Sequence, residues 1–218
     1  MSFAHYKSFV FDCDGVLLDS NRLKTEAFYE AALPWGEAAA SALVAYHQAH
    51  GGISRFVKFE HLFETLLSRS SYGADLERAL QRYGQIVREK LFESDETPGM
   101  RDFLASLPPE SYKIVVSGGM QSELREVFAA KGLDRYFHGI YGSPDTKMVI
   151  LDRERAAGRL SKPGIFFGDS RADYEAAEHA HLDFVFLHGI SEFKGWRDFF
   201  ADRPVRVAAH LGELIKRS

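Results

Sequence analysis

Short apolar segments, each closing on a polar cluster and each followed by a helical pattern, constrain this chain more than any other feature. Ser8-Phe9-Val10-Phe11, Lys113-Ile114-Val115-Val116, Gly164-Ile165-Phe166-Phe167 and Phe184-Val185-Phe186-Leu187 are rich in β-branched and aromatic residues. That composition and length predict buried strands. His138-Gly139-Ile140-Tyr141-Gly142 is a less apolar fifth. Between them, the pattern from Gln121 to Lys131 sets Leu124, Val127 and Phe128 at helical spacing, with Gly132 as a C-terminal stop. Lys147 to Ala157 and Ala172 to His179 also read as helix. Strands alternating with helices predict an α/β fold: a Rossmann-like parallel sheet covered on both faces.

The stretch between the first strand and the second breaks this rhythm. It offers no strand and is rich in Ala, Leu, Glu and Phe, with amphipathic repeats such as Phe56, Phe59, Leu62, Phe63, Leu66 and Leu67. It predicts a helical domain over 19–94, inserted into a core made of 1–18 and 95–218. Thr97-Pro98-Gly99 marks the return to the core. The 218 residues suffice for such a core plus insert.

Composition narrows the function classes. The net charge of -4 gives no basic footprint for nucleic acid. No apolar run is long enough to span a bilayer, and the start lacks the pattern of a signal peptide. The single cysteine, Cys13, permits no disulfide within the chain, which fits a reducing cytoplasm. The nine histidines show no zinc-ligand spacing.

Four polar clusters follow predicted strands, and in open parallel sheets ligands bind outside the carboxyl ends of the strands. The first is Asp12-Cys13-Asp14-Gly15-Val16-Leu17-Leu18-Asp19-Ser20. Two carboxylates one residue apart can divide the work of nucleophile or cation ligand and of general acid or base; alone, they are as readily a pair of solvated turn residues. Alternation turns Cys13 away from the side that Asp12 and Asp14 share. In the second, Ser117-Gly118-Gly119, a hydroxyl and two glycines at a strand end let backbone N–H groups approach a phosphate, although a plain glycine turn has the same sequence. The third centres on Lys147, able to hold a phosphoryl oxygen or to be an ordinary surface lysine. The fourth, Gly168-Asp169-Ser170-Arg171-Ala172-Asp173, sets two carboxylates one helical turn apart, a cation-binding arrangement or a helix cap. The joint order of all four favours chemistry over the separate bland readings.

That order resembles the haloacid dehalogenase-like superfamily along nearly the whole chain. The run from Phe11 to Ser20 is similar to its first motif, and Ser117, Lys147 and Gly168 to Asp173 to its second, third and fourth; the helical insert is similar to its class-one cap. The resemblance implies that Asp12 is a nucleophile forming an aspartyl-phosphate. Asp14 would protonate the leaving alkoxide and then activate water. Ser117 and Lys147 would hold the phosphoryl group, with Gly118, Gly119 and Ser20 in the substrate-binding set. Mg²⁺ would sit between Asp12, the backbone carbonyl of Asp14 and Asp169, with Asp173 in support. In the closed complex Asp14 would have a raised pKa while Asp12 stays ionised beside the metal, and hinges would lie near Asp19-Ser20 and Ser94-Thr97. An acid at position 14 favours phosphate chemistry over dehalogenation. His50-Gly51-Gly52-Ile53-Ser54-Arg55 resembles the specificity loop of the superfamily's sugar-phosphate mutases and phosphatases, making Arg55 the candidate for a second anionic group. Lys24 stands where many relatives carry a histidine. The implied function is a magnesium-dependent phosphatase hydrolysing a small phosphate monoester, with sugar phosphates among the candidates. A sugar phosphomutase of the beta-phosphoglucomutase type is the alternative, and a non-catalytic binding protein on this scaffold ranks last. The implied partner is a small phosphorylated metabolite, with neither nucleic acid nor membrane involved.

Overall fold

Alternation decides which way each strand residue faces, and here it sorts the core into two layers. The structure, a computed structural model, describes residues 3–215; the outermost residues of the two expected core segments, 1–2 and 216–218, lie outside it. Phe9, Phe11, Val115, Ile165 and Phe167 face one layer, while Val10, Ile114, Val116, Phe166 and Phe186 face the other. Rings stack between neighbouring strands, with Phe11 and Phe167 at 4.9 Å between centroids. Each such fully buried side chain contributes roughly 1.5–3 kcal/mol.

Among the described residues, β1 (Ser8–Phe11), β2 (Tyr112–Met120), β3 (Gly139–Ser143), β4 (Gly164–Gly168), β5 (Asp183–Leu187) and β6 (Arg206–Ala208) form one parallel sheet in the order β3-β2-β1-β4-β5-β6. Val10 lies between Ile114 and Phe166 in register. The chain grows outward from β1 on one side, then returns to β1 and grows outward on the other. The carboxyl ends of β1 and β4 therefore flank the topological switch point, where a crevice opens. β2 differs from expectation: it continues through Ser117-Gly118-Gly119 to Met120, its register shifting between Val116 and Met120. That irregularity reshapes the strand end in place of a simple turn. β6, three residues at the sheet edge, was not anticipated.

Residues 21–93 contribute helices and no strand: α1 (Asn21–Ala32), α2 (Glu37–Ala49), α3 (Arg55–His61), a π-helical turn at Leu62–Leu66, and α4 (Gly73–Glu93). Buried Ala79, Tyr83, Val87 and Leu91 recur every four residues along α4, so one face meets the bundle. Phe28 of α1 joins the bundle together, 4.3 Å from the Tyr83 ring and 5.4 Å from Phe59. The two crossings between bundle and sheet run side by side. Asp19 N–H donates to Asp95 O at 2.9 Å, Thr97 N–H to Leu17 O at 3.0 Å, and Leu18 bridges Glu96 in antiparallel fashion. The remaining helices, α5 (Met100–Ser106), α6 (Gln121–Ala130), α7 (Lys147–Ala156), α8 (Arg171–Ala180) and α9 (Trp196–Phe200), flank the sheet. No helix among the described residues is long and apolar enough to cross a membrane.

Candidate active site

The chain leaves β1 directly into the site. Asp12 is buried, and its N–H still donates to Phe167 O at 2.9 Å, so its backbone belongs to the sheet. Cys13 points into the apolar core beside Phe11 and Val16. Burial, and then the charge of Asp14, push its thiol well above the usual range, which leaves it an inert packing residue. The turn closes through Gly15 at φ +74°, where a Cβ would come within 2.3 Å of Asp169 Oδ2. Glycine there admits the left-handed turn and lets β1 and β4 bring their carboxylates together.

Lys147 opens α7 and Asp173 sits in the first turn of α8. Lys147 Nζ donates to Asp12 Oδ1 at 2.8 Å and also to Asp173 Oδ1. Ser170 caps α8 in a reciprocal box: it accepts from Asp173 N–H, while Asp173 Oδ2 accepts from Ser170 N–H at 3.0 Å. The cap is therefore Ser170, not Asp169, and the other oxygen of Asp173 accepts from Lys147. Asn21 Nδ2, at the start of α1, donates to Asp169 Oδ2 at 2.6 Å.

Asp12, Asp169 and Asp173 are all buried, each offering an oxygen within 4.8 Å of the others. Burial, then Asp173, push Asp12 up to about 7, with Lys147 offsetting part of the rise. Burial, then Asp12 and Asp173, hold Asp169 well above the usual carboxylate range. Crowded carboxylates that resist ionisation are a site that a hard cation would relieve, and three oxygen donors suit Mg²⁺ chemistry. The side chain of Asp14 stands outside this triad.

Asp14 is instead held from the bundle side. Its Oδ2 accepts from Lys24 Nζ at 2.5 Å and its Oδ1 from Ser20 Oγ at 2.5 Å. Burial raises its pKa, but the Lys24 charge and the hydrogen bonds of Lys24 and Ser20 outweigh this, so the carboxyl lies below the usual range. In the chain alone Asp14 is thus the lowered carboxyl, and Asp12, through burial and Asp173, the raised one. The lowering of Asp14 comes from Lys24, whose ammonium is in turn held above the ordinary lysine range by Asp14 against its own burial. Ser20 is fully buried with its hydroxyl committed to Asp14, so it shapes the acid rather than reaching a ligand.

Ser117 is fully buried and its Oγ accepts from Gly119 N–H at 3.0 Å. Gly118 and Gly119 line the cavity. The loop between α2 and α3 seats there. A Cβ on Gly118 would meet Gly52 O at 2.6 Å, and one on Gly52, at φ +78°, would meet Ser170 Oγ at 2.6 Å. Backbone is therefore packed on backbone where bundle meets sheet.

A cavity of about 400 Å³ lies between them, with Asp12, Asp14 and Asp169 at one end and Phe28, His47 and Lys58 among its bundle-side lining. Arg55 also lines it, but both guanidinium nitrogens go to Glu123 of α6, at 2.8 and 2.5 Å. Sequence reasoning missed Asn21, His47, Lys58, Glu123 and Glu192 as site residues. Asn21, directly after the first motif, had a positional signal; the others depend on how helices dock.

Comparison with known proteins places the chain in a family. The family model for haloacid dehalogenase-like hydrolases matches residues 6–181. The chain is 25% identical over 195 residues to a phosphorylated carbohydrates phosphatase of Thermotoga maritima, covering 85% of this chain and 87% of that protein. Among solved structures, a predicted phosphatase from Clostridium acetobutylicum matches with a TM-score of 0.74 at 20% identity, covering 97% of both chains. A hydrolase from Pseudomonas syringae matches with a TM-score of 0.73 at 21% identity and 95% coverage of each. With its paired-aspartate turn, lysine and carboxylates all gathered at the sheet's switch point, this chain belongs to the haloacid dehalogenase-like hydrolases.

Proposed function

We propose that the protein is a magnesium-dependent phosphatase acting on a small phosphorylated carbohydrate through an aspartyl-phosphate, with the helical segment 19–94 as its cap. The observation that carries this reading is the pairing of Asp12 and Asp14 on one cavity wall, with Lys147 Nζ 2.8 Å from Asp12. The name of the Thermotoga maritima relative supports the substrate class.

Asp12 attacks phosphorus as the ester P–O bond breaks, leaving the phosphoryl group on Asp12 and an alkoxide on the departing carbohydrate. Asp14 passes a proton to that alkoxide. It then takes a proton from the water that attacks phosphorus; the acyl-phosphate bond breaks, inorganic phosphate departs and the Asp12 carboxylate returns. Lys24 holds Asp14 ionised in the free chain, so Asp14 takes its first proton from solvent as the Lys24 charge turns to the incoming phosphoryl group. Lys147 offsets charge between Asp12 and Asp173, and the backbone around Gly118 and Gly119 receives phosphoryl oxygens. Asp12, Asp169 and Asp173, with the Asp14 carbonyl, would hold Mg²⁺, which when bound neutralises negative charge around the phosphoryl group.

Inorganic phosphate release from a panel of phosphorylated sugars, with and without magnesium, tests this. Asp12→Asn should lower kcat by at least about a thousandfold, and full activity in that variant would remove Asp12 from the mechanism. Isomer interconversion without phosphate release would instead assign a phosphomutase, which differs only in passing the phosphoryl group to a second hydroxyl.

A further inference from the structure

The bundle end of the cavity holds a cation without a counterion. Lys58 of α3 is 2% exposed and lines the cavity. Its hydrogen-bond partner is the imidazole of His47 on α2, with Nζ and Nδ1 2.6 Å apart. The other cavity cations are paired: Lys24 with Asp14 at 2.5 Å, Arg55 with Glu123 at 2.5 Å, Arg171 with Glu175 at 2.7 Å. Among the described residues, no carboxylate stands at ion-pair distance from Lys58.

A lysine ammonium only donates, so Nδ1 of His47 accepts and Nε2 carries the ring proton. That Nε2 is buried and has no hydrogen-bond partner. Glu192 Oε2 stands 3.8 Å away, beyond hydrogen-bond reach. Its carboxylate already accepts from Thr25 Oγ1 at 2.6 Å and Gln48 Nε2 at 3.4 Å. This end of the cavity therefore presents an ammonium with unspent protons and an orphan imidazole N–H, and nothing from the chain fills their demand for an acceptor. Leaving a buried charge unpaired costs several kcal/mol, a cost that an incoming anion removes.

We propose that Lys58, with His47, forms a subsite for a second anionic group on the substrate, a carboxylate or a second phosphate. This rests on the phosphatase reading and narrows it to carbohydrates that are anionic at both ends. The cavity spans both ends: Asp12 and Asp14 line it along with Lys58, and about 400 Å³ holds a phosphoryl group and a short carbon chain. Phe28 lies beneath, its ring centroid 5.2 Å from Lys58 Nζ, a cation–π contact that holds the ammonium without neutralising it. Burial, and then the charge of Lys24, hold the Lys58 amine down to about 7, the mark of a site waiting for a negative neighbour. Arg55, the sequence candidate for this role, has its charge taken by Glu123; Lys58 does not.

The test is calorimetric binding to the Asp12→Asn chain with magnesium, so that no turnover intervenes. Glycerol 3-phosphate and 3-phosphoglycerate share a skeleton and differ in one carboxylate; fructose 6-phosphate and fructose 1,6-bisphosphate differ in one phosphate. One or both pairs should favour the doubly anionic compound by at least about tenfold, and the pair that does so names the anion. Adding Lys58→Met should bring that ratio near one, and Lys58→Arg should restore part of it. A purely structural lysine would weaken both members of a pair together and leave the ratio intact. Equal affinities within both pairs, a ratio that survives Lys58→Met, or no binding of any of the four at millimolar concentration overturns the subsite. If the preference stands and depends on Lys58 while the native chain releases phosphate from none of them, hydrolysis is overturned and the subsite is kept.

Discussion

Lys24 and Lys58 are both buried cations in one cavity, and they act on their surroundings in opposite ways. Lys24 keeps the carboxyl of Asp14 below the usual range through a 2.5 Å contact. Lys24→Met removes that influence, and burial then drives the Asp14 pKa upward. Because Asp14 must be ionised to take a proton from water, the acidic limb of kcat should move to higher pH; a pH–rate profile from about 4 to 9 reads it. An unmoved limb would show that Asp14 is not the titrating base. Lys58 bears on stability instead. Its folded pKa of about 7 lies below its ordinary 10.5, so the penalty for its charge is complete below pH 7. The penalty fades as pH rises toward the unfolded value. Lys58→Met should therefore raise Tm at pH 7 by several degrees, with the gain vanishing near the ordinary lysine pKa; thermal unfolding at several pH values checks it, and a lower Tm at pH 7 contradicts it. Asp12, Asp14, Lys147, Asp169 and Asp173 were legible in the sequence because strand ends converge whatever the side chains are. His47 and Lys58 were not, because their 2.6 Å contact depends on the docking angle of α2 on α3.

Between elements, one polar tie from bundle to sheet domain is the two-pronged bond from Arg55 of α3 to Glu123 of α6. Their side chains are only 5% and 17% exposed, so water screens the pair little. A double-mutant cycle with Arg55→Ala and Glu123→Ala, followed by urea unfolding, should give a coupling of about 1–3 kcal/mol. Additivity within about 0.3 kcal/mol would mean that the pair does not couple the bundle to the sheet. If the bundle works as a cap, each single variant also loosens its seat, and KM should rise more than kcat falls. The elements themselves were read from pattern where the pattern is strong. β1 matches its four residues as read, and α6 and α7 match to within a residue at their ends. β6 escaped because Arg206-Val207-Ala208 is too short to show a period and follows Pro204. The continuation of β2 escaped because Gly118 and Gly119 read as a turn, whereas the sheet accommodates them by shifting register. The ladder joining Leu17-Leu18-Asp19 to Asp95-Glu96-Thr97 was foreseen only as two separate hinges; its pairing is a contact across almost eighty positions that no local pattern records.

At the scale of the whole molecule, the sheet gathers three buried carboxylates at its switch point, and this arrangement opposes folding. Asp12 is pushed up to about 7 from an ordinary 3.8, and Asp169 is raised by burial and by its neighbours. A raised carboxyl binds more protons folded than unfolded between its two pKa values. Its contribution to stability is therefore full below the unfolded value and lost as pH rises through the folded one. Asp14 and Glu154, both lowered, add terms of the opposite sign, so the net slope of Tm against pH does not isolate the cluster. The response to metal does. At pH 7.5 the Asp12 carboxyl, pushed up to about 7, is largely ionised, and Mg²⁺ relieves its repulsion from its neighbours; at pH 5.5 a proton on Asp12 has already relieved it and must be displaced before the ion can bind. Millimolar Mg²⁺ should accordingly raise Tm distinctly more at pH 7.5 than at pH 5.5, by the mass-action stabilisation of a ligand that binds only the folded chain. Asp169→Asn should shrink the difference by removing one charge from the cluster. Equal gains at the two pH values, or no gain at either, would count against these carboxylates as the metal's holders and would leave Asp173 with the capping box that it forms with Ser170.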